Sequence, residues 1–250
     1  MARRMTLEGA KVLGVAELMP YSNGLNRNIV QCLKDFDIPL YLSHSVSNIV
    51  GKDRIEKIVI SKVDEKLNFI PGSEMEFEVD TLLLSVGLLP SNVLLEDMGM
   101  EMYRNTRGPI VNEMMETTVE GIFACGNSLH VHDLVDFVTA ESRVAGRSAA
   151  RYLKNEVTRS GKFINCNAGS ALGYILPQKV DVNNIDASVD FKFRVRTPME
   201  NKKVVVKLNG EVLRSVVKPH LLPAEMETIS IKKELFTASE GELVIDVEDR

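Results

Sequence analysis

The sequence contains no tryptophan, only three cysteines and no long apolar run. The cysteines (Cys32, Cys125, Cys166) are odd in number and form no C-x-x-C pair, which argues against both a disulfide framework and a zinc ribbon. The longest apolar stretch, residues 81–90, is too short to span a bilayer and is interrupted by a serine and a glycine. We therefore expect a reduced, cytoplasmic protein with no membrane partner.

A strong charge of either sign is also lacking. The 250 residues carry 30 Lys+Arg against 35 Asp+Glu, a formal net charge of −5, and the two signs are mixed along the chain. This balance argues against a nucleic-acid partner. A hydrophobic fraction of 44% and a charged fraction of 26% are typical of soluble domains, so the chain is long enough for one or two domains with a buried core.

No G-x-G-x-x-G loop occurs, yet the first residues are typical of part of a nucleotide-binding unit. Residues 1–8 predict the second half of a helix that Gly9 ends, and residues 11–18 predict a buried strand that ends near Glu17. In a βαβ dinucleotide-binding unit such an acid accepts hydrogen bonds from the adenosine ribose, about 20 residues after the glycine loop. That spacing would place the loop before Met1. The alternative is that Glu17 is a solvated acid at a strand end.

The middle of the chain predicts a defined order of elements. Apolar residues at helical spacing between positions 25 and 36 predict an amphipathic helix, and residues 40–42 predict a short buried strand. Residues 55–63 and 75–84 alternate in polarity and predict an antiparallel hairpin, from which an apolar strand leads into residues 85–90.

Residues 118–127, TVEGIFACGN, predict a turn and a short buried strand that ends at a glycine and a polar residue. A helix rich in small residues follows and runs to about Asn155. From Gly161 onward short alternating segments with turn signals predict a separate, immunoglobulin-like β-sandwich.

Together these stretches resemble the C-terminal part of the FAD-dependent pyridine nucleotide oxidoreductases, which contain two dinucleotide-binding folds. Residues 81–92 resemble the segment that leaves the NAD(P)H domain of that family, and the strand near Glu17 resembles the second strand of that domain. Residues 118–127 resemble the second FAD motif, T-x-x-x-G-I-F/Y-A-x-G-D. Residues 126–136, GNSLHVHDLVD, are similar to a branch of bacterial oxidoreductases associated with glycerol-3-phosphate metabolism.

The resemblance implies an α/β fold: a partial NAD(P)H/FAD two-dinucleotide-binding fold followed by a small all-β immunoglobulin-like sandwich. Residues 1–88 would form part of the NAD(P)H domain, residues 89–158 the C-terminal segment of the FAD domain, and residues 161–250 the sandwich. The implied function is that of a C-terminal portion of an enzyme that moves hydride between a nicotinamide cofactor and an acceptor via FAD. The alternative is a non-catalytic assembly or binding subunit that retains the fold and the β-domain.

The implied cofactors are FAD and NAD(P)H. The family motif ends in an aspartate that hydrogen-bonds the flavin ribitol, and an asparagine at this position can still accept that bond through its carbonyl oxygen. A helix that begins near Asp133 would direct its N-terminus at the flavin. The implied cofactor-binding residues are Glu17, Gly87, Gly126, Asn127, Asp133 and Leu134. Because both phosphate-binding loops are lacking, we expect this chain alone to bind neither cofactor, to be colourless and to be inactive.

Four further expectations concern chemistry and assembly. His130 and His132 are weak candidates for catalysis; they need not converge, because alternate residues share a face only on a strand, and we expect no metal. Cys125 is expected to be a buried small hydrophobe rather than a redox thiol. The strand in residues 11–18 would lack one neighbour. We therefore expect a homo-oligomer paired through residues 10–18 or a partner oxidoreductase subunit; the alternative is that the β-domain packs over that edge.

Overall fold

The computed structural model describes residues 1–22, 24, 26–85 and 87–250, with the side chain of Asn26 excepted. Leu25 and Val86, which belong to the predicted helix and to the predicted apolar strand, lie outside the described residues. The chain divides into two compact units, Met1–Val86 and Gly87–Arg250. The finer division into residues 1–88, 89–158 and 161–250 stays a prediction.

The first unit begins with half of a parallel α/β arrangement. Helix α1 (Ala2–Leu7) is followed by Gly9 with a φ of +91°, and then by strand β1 (Val15–Glu17). Helix α2 (Asn26–Cys32) and a 3₁₀ turn lead into strand β2 (Leu40–Leu42), which pairs parallel to β1. This confirms the predicted βαβ character. The strand is only three residues long and half-buried, whereas we expected a longer strand buried on both faces, because among the described residues its sheet has two strands only.

The second sheet of this unit has three antiparallel strands, β3 (His44–Val50), β4 (Lys57–Lys62) and β5 (Met75–Glu78). The pairing of β4 with β5 confirms the predicted hairpin. Strand β5, the second strand of the hairpin, ends at Glu78, and no strand occurs in the described part of residues 79–92. The predicted apolar strand in that segment is therefore wrong. Leu83 and Leu84 are 54% and 69% exposed, since no described strand pairs with this segment.

The second unit opens with short elements and one long helix. They are α3 (Val93–Asp97), β6 (Met102–Tyr103), β7 (Gly108–Pro109), a 3₁₀ helix (Gly126–Ser128) and α4 (Val135–Leu153). The buried residues of α4 are Glu141, Ala145 and Ser148, which are spaced by four and three positions and so share one face of the helix.

Residues 161–250 form two sheets that share one apolar core. The strands are β8 (Ile164–Ala168), β9 (Leu172–Leu176), β10 (Lys179–Val180), β11 (Ser188–Val195), β12 (Met199–Leu208), β13 (Glu211–Leu221), β14 (Glu227–Lys232) and β15 (Gly241–Glu248). The five-stranded sheet has the order β10-β8-β15-β12-β13 and the three-stranded sheet the order β14-β11-β9. Phe191 and Phe193 of β11 are fully buried in the core.

These β-strands pack against the preceding part of the same unit. Tyr174 and Leu176 of β9 belong to an apolar cluster with Ala124, Leu129 and Ala145. Since these contacts are buried, the β-rich part and the segment around α4 support each other rather than meeting only at a linker. None of the described helices is both long and apolar enough to cross a membrane.

Candidate functional site

Residues 118–127 form the predicted turn, but the predicted short strand is wrong, because the backbone pairs only through an isolated bridge between Phe123 and Glu116. The backbone N–H of Ala124 donates to the carbonyl of Met115, and Thr117 and Ile122 are joined by a further backbone hydrogen bond. Gly121, at the turn, has a φ of +78°, and an added Cβ would lie 2.9 Å from the ring of Tyr152. A side chain at position 121 would therefore clash with the end of α4.

Glu116 fixes this turn. Its carboxylate accepts two hydrogen bonds from the Arg159 guanidinium, at 2.6 and 2.7 Å, and one from the Gly121 N–H at 2.9 Å. Burial alone would raise the pKa of Glu116, but these donors outweigh it and hold the pKa below its ordinary value.

Gly126 begins the next turn in a left-handed conformation, with a φ of +70°. Its N–H donates to Oε1 of Glu141 on α4 at 2.7 Å. Asn127 follows it at the surface, and its Oδ1 accepts the His132 N–H at 3.1 Å. The buried Asn92 side chain holds the far end of the turn, since its Nδ2 donates to the Ser128 carbonyl at 2.7 Å.

His130 and His132 converge, although their spacing in the sequence did not require it. Their ring centroids lie 4.2 Å apart. Nε2 of His130 is 3.0 Å from Oε2 of Glu141, and Nε2 of His132 is 3.1 Å from Oε1. The two rings meet because the chain between the 3₁₀ helix and α4 turns both of them toward the one buried carboxylate of the helix. Lys192 of β11 completes the group, with Nζ 2.5 Å from Oε2.

The charges of this cluster follow from burial and from its donors. Burial alone would raise the pKa of Glu141, but hydrogen bonds from the two histidines and the nearby Lys192 ammonium lower it well below its ordinary value. Burial lowers the pKa of His130 more than Glu141 raises it. Glu141 is therefore ionised and His130 neutral at pH 7, with Lys192 as the compensating charge.

Asp133 lies just before α4, which begins at Val135, and this agrees with the predicted helix start near Asp133. Its carboxylate pairs with Arg194 of β11 at 2.5 Å and accepts the Met226 N–H at 2.8 Å. Leu134 is the N-cap residue of α4 and makes no side-chain capping hydrogen bond; Leu134 and Val135 are 39% and 73% exposed. The helix therefore presents an accessible N-terminus without a side-chain cap.

The remaining predicted site residues lie elsewhere. Glu17 is half-buried at the carboxyl end of β1, and its Oε1 accepts the Met19 N–H at 3.0 Å. Gly87 has a φ of +98°, with open space around an added Cβ. The roles assigned to Glu17, Gly87, Gly126, Asn127, Asp133 and Leu134 stay predictions.

The three cysteines are free thiols. Cys125 is half-buried rather than buried as expected, because it lies at the edge of its apolar cluster, where its Sγ is 3.4 Å from Oγ of Ser142. Cys166 is buried in the β-rich core, and burial raises the pKa of its thiol far above the ordinary value.

Sequence reasoning missed Glu141, Lys192, Tyr174 and Asn92. A usable signal existed for Glu141, since it is an acid on the helix face that otherwise carries Ala145 and Ser148. No sequence signal joined Lys192 to this group, because it lies 51 positions from Glu141 on an alternating strand.

An extended segment, a left-handed glycine with a polar residue after it, and a long helix with an accessible N-terminus resemble the strand–turn–helix order of α/β dinucleotide-binding proteins, although the segment before Gly126 is not a strand. Comparison with known proteins agrees. The chain belongs to the pyridine nucleotide-disulphide oxidoreductase family, whose sequence profile matches residues 12–149.

Individual relatives match part of the chain. It is 28% identical to an NADH oxidase of Streptococcus pneumoniae, over 45% of this chain and 22% of that protein. It is 35% identical to the thioredoxin reductase of Bacillus subtilis, over 34% of this chain and 27% of that protein. A solved thioredoxin reductase from Streptococcus pyogenes aligns with 61% of this chain and 48% of that one, at 18% identity and a TM-score of 0.35. The match thus spans about a quarter of the length of these curated relatives.

Proposed function

We propose that this chain forms part of a flavin-dependent NAD(P)H oxidoreductase, in which hydride moves between a nicotinamide cofactor and an acceptor via FAD. The observation that carries the proposal is the turn at Gly126 and Asn127 beside the exposed N-terminus of α4. Family membership supports it, since pyridine nucleotide oxidation and reduction define this family by name.

The residues around the turn fit the flavin end of FAD. Asn127 is exposed and keeps one acceptor lone pair and its amide hydrogens for a ribitol hydroxyl, even though Oδ1 already accepts the His132 N–H. The first-turn amides of α4 are placed to donate to an electron-rich ring edge. Bound FAD would supply the hydride-carrying ring, while the protein supplies position and electrostatics. The phosphates would need donors that these residues do not provide.

The first unit supports a role toward the nicotinamide cofactor. Glu17 ends a strand of a parallel pair, and ligands of open α/β sheets bind at the carboxyl ends of the strands. A carboxylate there accepts hydrogen bonds from ribose hydroxyls and repels a 2′-phosphate. We therefore propose NADH rather than NADPH as the preferred donor.

Three finer assignments belong to the same proposal. The sequence of residues 126–136 supports the branch associated with glycerol-3-phosphate metabolism. Two sheets of five and three strands around a common core support an immunoglobulin-like type for residues 161–250. A homo-oligomer or a partner oxidoreductase subunit would cover the edge of β1 that pairs with no strand among the described residues.

The test uses the protein in its natural assembly. An affinity tag is added at the chromosomal locus, at the end of the reading frame that encodes this chain. The protein and any subunits bound to it are then purified under native conditions. We expect a yellow preparation with a flavin absorption spectrum. Asn127→Leu, which removes the amide at similar volume, should lower the flavin content, whereas Asn127→Asp should retain or increase it because a carboxylate is the stronger acceptor.

The alternative function, a non-catalytic assembly or binding subunit, predicts a different outcome. The natural assembly would then be colourless, and the two Asn127 variants would be purified with the same partners and the same spectrum as the wild type. A flavin-free preparation of this kind contradicts the proposed oxidoreductase.

A further inference from the structure

The carboxylate of Glu141 receives four hydrogen-bond donors. Oε1 accepts from the Gly126 N–H at 2.7 Å and lies 3.1 Å from Nε2 of His132. Oε2 lies 3.0 Å from Nε2 of His130 and 2.5 Å from Nζ of Lys192. An ionised carboxylate has about four lone-pair sites, so all of the acceptor capacity of Glu141 is in use.

A metal ion is the competing interpretation of this group. His130, His132 and Glu141 each offer one ligand atom within 4.8 Å of the others, and Nδ1 of His132 is buried without a hydrogen-bond partner among the described residues. A cation would have to displace donors from a filled carboxylate, and it would lie beside the Lys192 ammonium, which repels it. The donors and charges therefore favour a proton and charge network over a metal centre.

The network extends to a tyrosine. If the neutral His130 donates through Nε2 to Glu141, its Nδ1 carries a lone pair, and Nδ1 lies 3.1 Å from the hydroxyl of Tyr174. Burial raises the pKa of Tyr174, so this hydroxyl keeps its proton and donates to the ring. Tyr174 thus fixes the orientation of the imidazole, and Lys192 balances the charge of the carboxylate.

Lys192 and Tyr174 come from strands β11 and β9, outside the residues 12–149 that match the family. We infer that Lys192 and Tyr174 are positioning residues for the Gly126 turn, with Lys192 acting through Glu141 and Tyr174 acting through His130. The β-rich part then supplies side chains that hold the cofactor-facing turn in place, and it is more than an appended module. The inference depends on the proposed function only for one of its tests, the measurement of flavin content.

The test replaces Lys192 by methionine, which keeps the length of the side chain and removes the charge. A buried carboxylate without its counter-ion draws a proton onto a neighbouring base, so we expect the pKa of His130, followed by imidazole NMR, to rise by about one unit or more. The Gly126 amide should exchange with solvent about tenfold faster. The flavin content of the natively purified assembly should fall.

The controls separate position from general stability. Lys232→Met changes a lysine of β14 whose side chain is 68% exposed, and it should leave all three readouts unchanged. Lys192→Arg keeps the charge and should keep His130 neutral. Tyr174→Phe removes only the hydroxyl, so it should change the tautomer signals of His130 and speed exchange of the Gly126 amide. This variant keeps the inference testable if Lys192→Met fails to fold.

Three results decide the matter. The inference is wrong if folded Lys192→Met or Tyr174→Phe shows the same His130 titration and the same Gly126 amide exchange as the wild type. Stoichiometric zinc binding by the wild type that His132→Ala abolishes would also overturn it, since the cluster would then be a metal centre. A flavin-free wild-type assembly in which both NMR readouts still respond would overturn the proposed function and leave the positioning of the turn supported.

Discussion

The amide of Gly126 donates to the buried carboxylate of Glu141 at 2.7 Å, across 15 positions of sequence. This bond ties the turn that resembles the second FAD motif to the inner face of α4. Because Glu141 is only 1% exposed, the bond is shielded from water, and hydrogen bonds to charged groups are among the stronger ones in proteins. The conformation of the turn therefore depends on an acid that the motif itself does not include.

Two glycines of this region should respond oppositely to alanine. Gly126 has a φ of +70°, and an added Cβ would lie 3.2 Å from Cγ1 of Val138, so Gly126→Ala should destabilise the protein by about 1–2 kcal/mol. Gly146 lies inside α4 with open space around an added Cβ, so Gly146→Ala should stabilise it by about 0.5–1 kcal/mol. Denaturant unfolding measures both. Equal effects of the two substitutions would contradict the assigned backbone conformations.

Stability should fall as the pH rises through neutrality because of Glu113. Its Oε2 accepts the Asp181 N–H at 2.8 Å, its Oε1 has no hydrogen-bond partner in the described part of the chain, and burial raises its pKa to about 7. A carboxyl group whose pKa is higher in the folded state favours folding when protonated. Its contribution is complete below the unfolded pKa, near 4.5, and is lost as the pH rises through about 7.

Ionisation of Glu113 should lower the free energy of unfolding by about 3 kcal/mol. Glu113→Gln keeps an oxygen acceptor for the Asp181 N–H and removes the titrating carboxyl group. Its free energy of unfolding should therefore decline less than that of the wild type between about pH 5 and about pH 8. Glu156→Gln, at an exposed position, is the control and should follow the wild type. Parallel pH profiles for all three proteins would show that Glu113 is ionised in the folded protein.

The cofactor preference of the holoenzyme should depend on Glu17. Glu17→Ala removes the acceptor for the ribose hydroxyls and the repulsion of a 2′-phosphate, so the preference for NADH over NADPH should narrow by about 1–3 kcal/mol. Ratios of kcat/KM for the two cofactors measure this. If the unmutated enzyme uses both cofactors equally, the role assigned to Glu17 is wrong.

The edge of β1 should support self-association. In the described residues β1 pairs with β2 alone, and an uncovered strand edge is a template for another chain. We expect a dimer or larger assembly through residues 10–18, detected by light scattering. Ala16→Lys places a charge at an exposed position of this strand and should shift the protein toward the monomer. A wild-type protein that is strictly monomeric at micromolar concentration would contradict this expectation.

Local patterns predicted the elements whose partners are close in sequence. The hairpin of β4 and β5 and the parallel α/β start of the chain follow from alternation and from the spacing of glycine and acid. The apolar run at residues 81–90 misled the prediction, because apolar composition alone does not provide the neighbouring strand that a strand requires.

The candidate site was only half accessible to sequence reasoning. Gly126 and Asn127 lie within a recognisable motif, whereas Lys192 reaches Glu141 from a strand 51 positions away, which no local periodicity encodes. His130 and His132 converge because both rings bind one buried carboxylate, and this depends on tertiary packing rather than on their spacing. Contacts across long sequence separation were therefore the part that the pattern of residues did not reveal.

Anaerobic addition of NADH to the natively purified assembly that contains this chain tests the central proposal most directly. We expect the flavin absorption to bleach, and Asn127→Leu to lower the amount of flavin that responds. An assembly without flavin, or a flavin that neither NADH nor NADPH reduces, would contradict the assignment of this chain to a flavin-dependent pyridine nucleotide oxidoreductase.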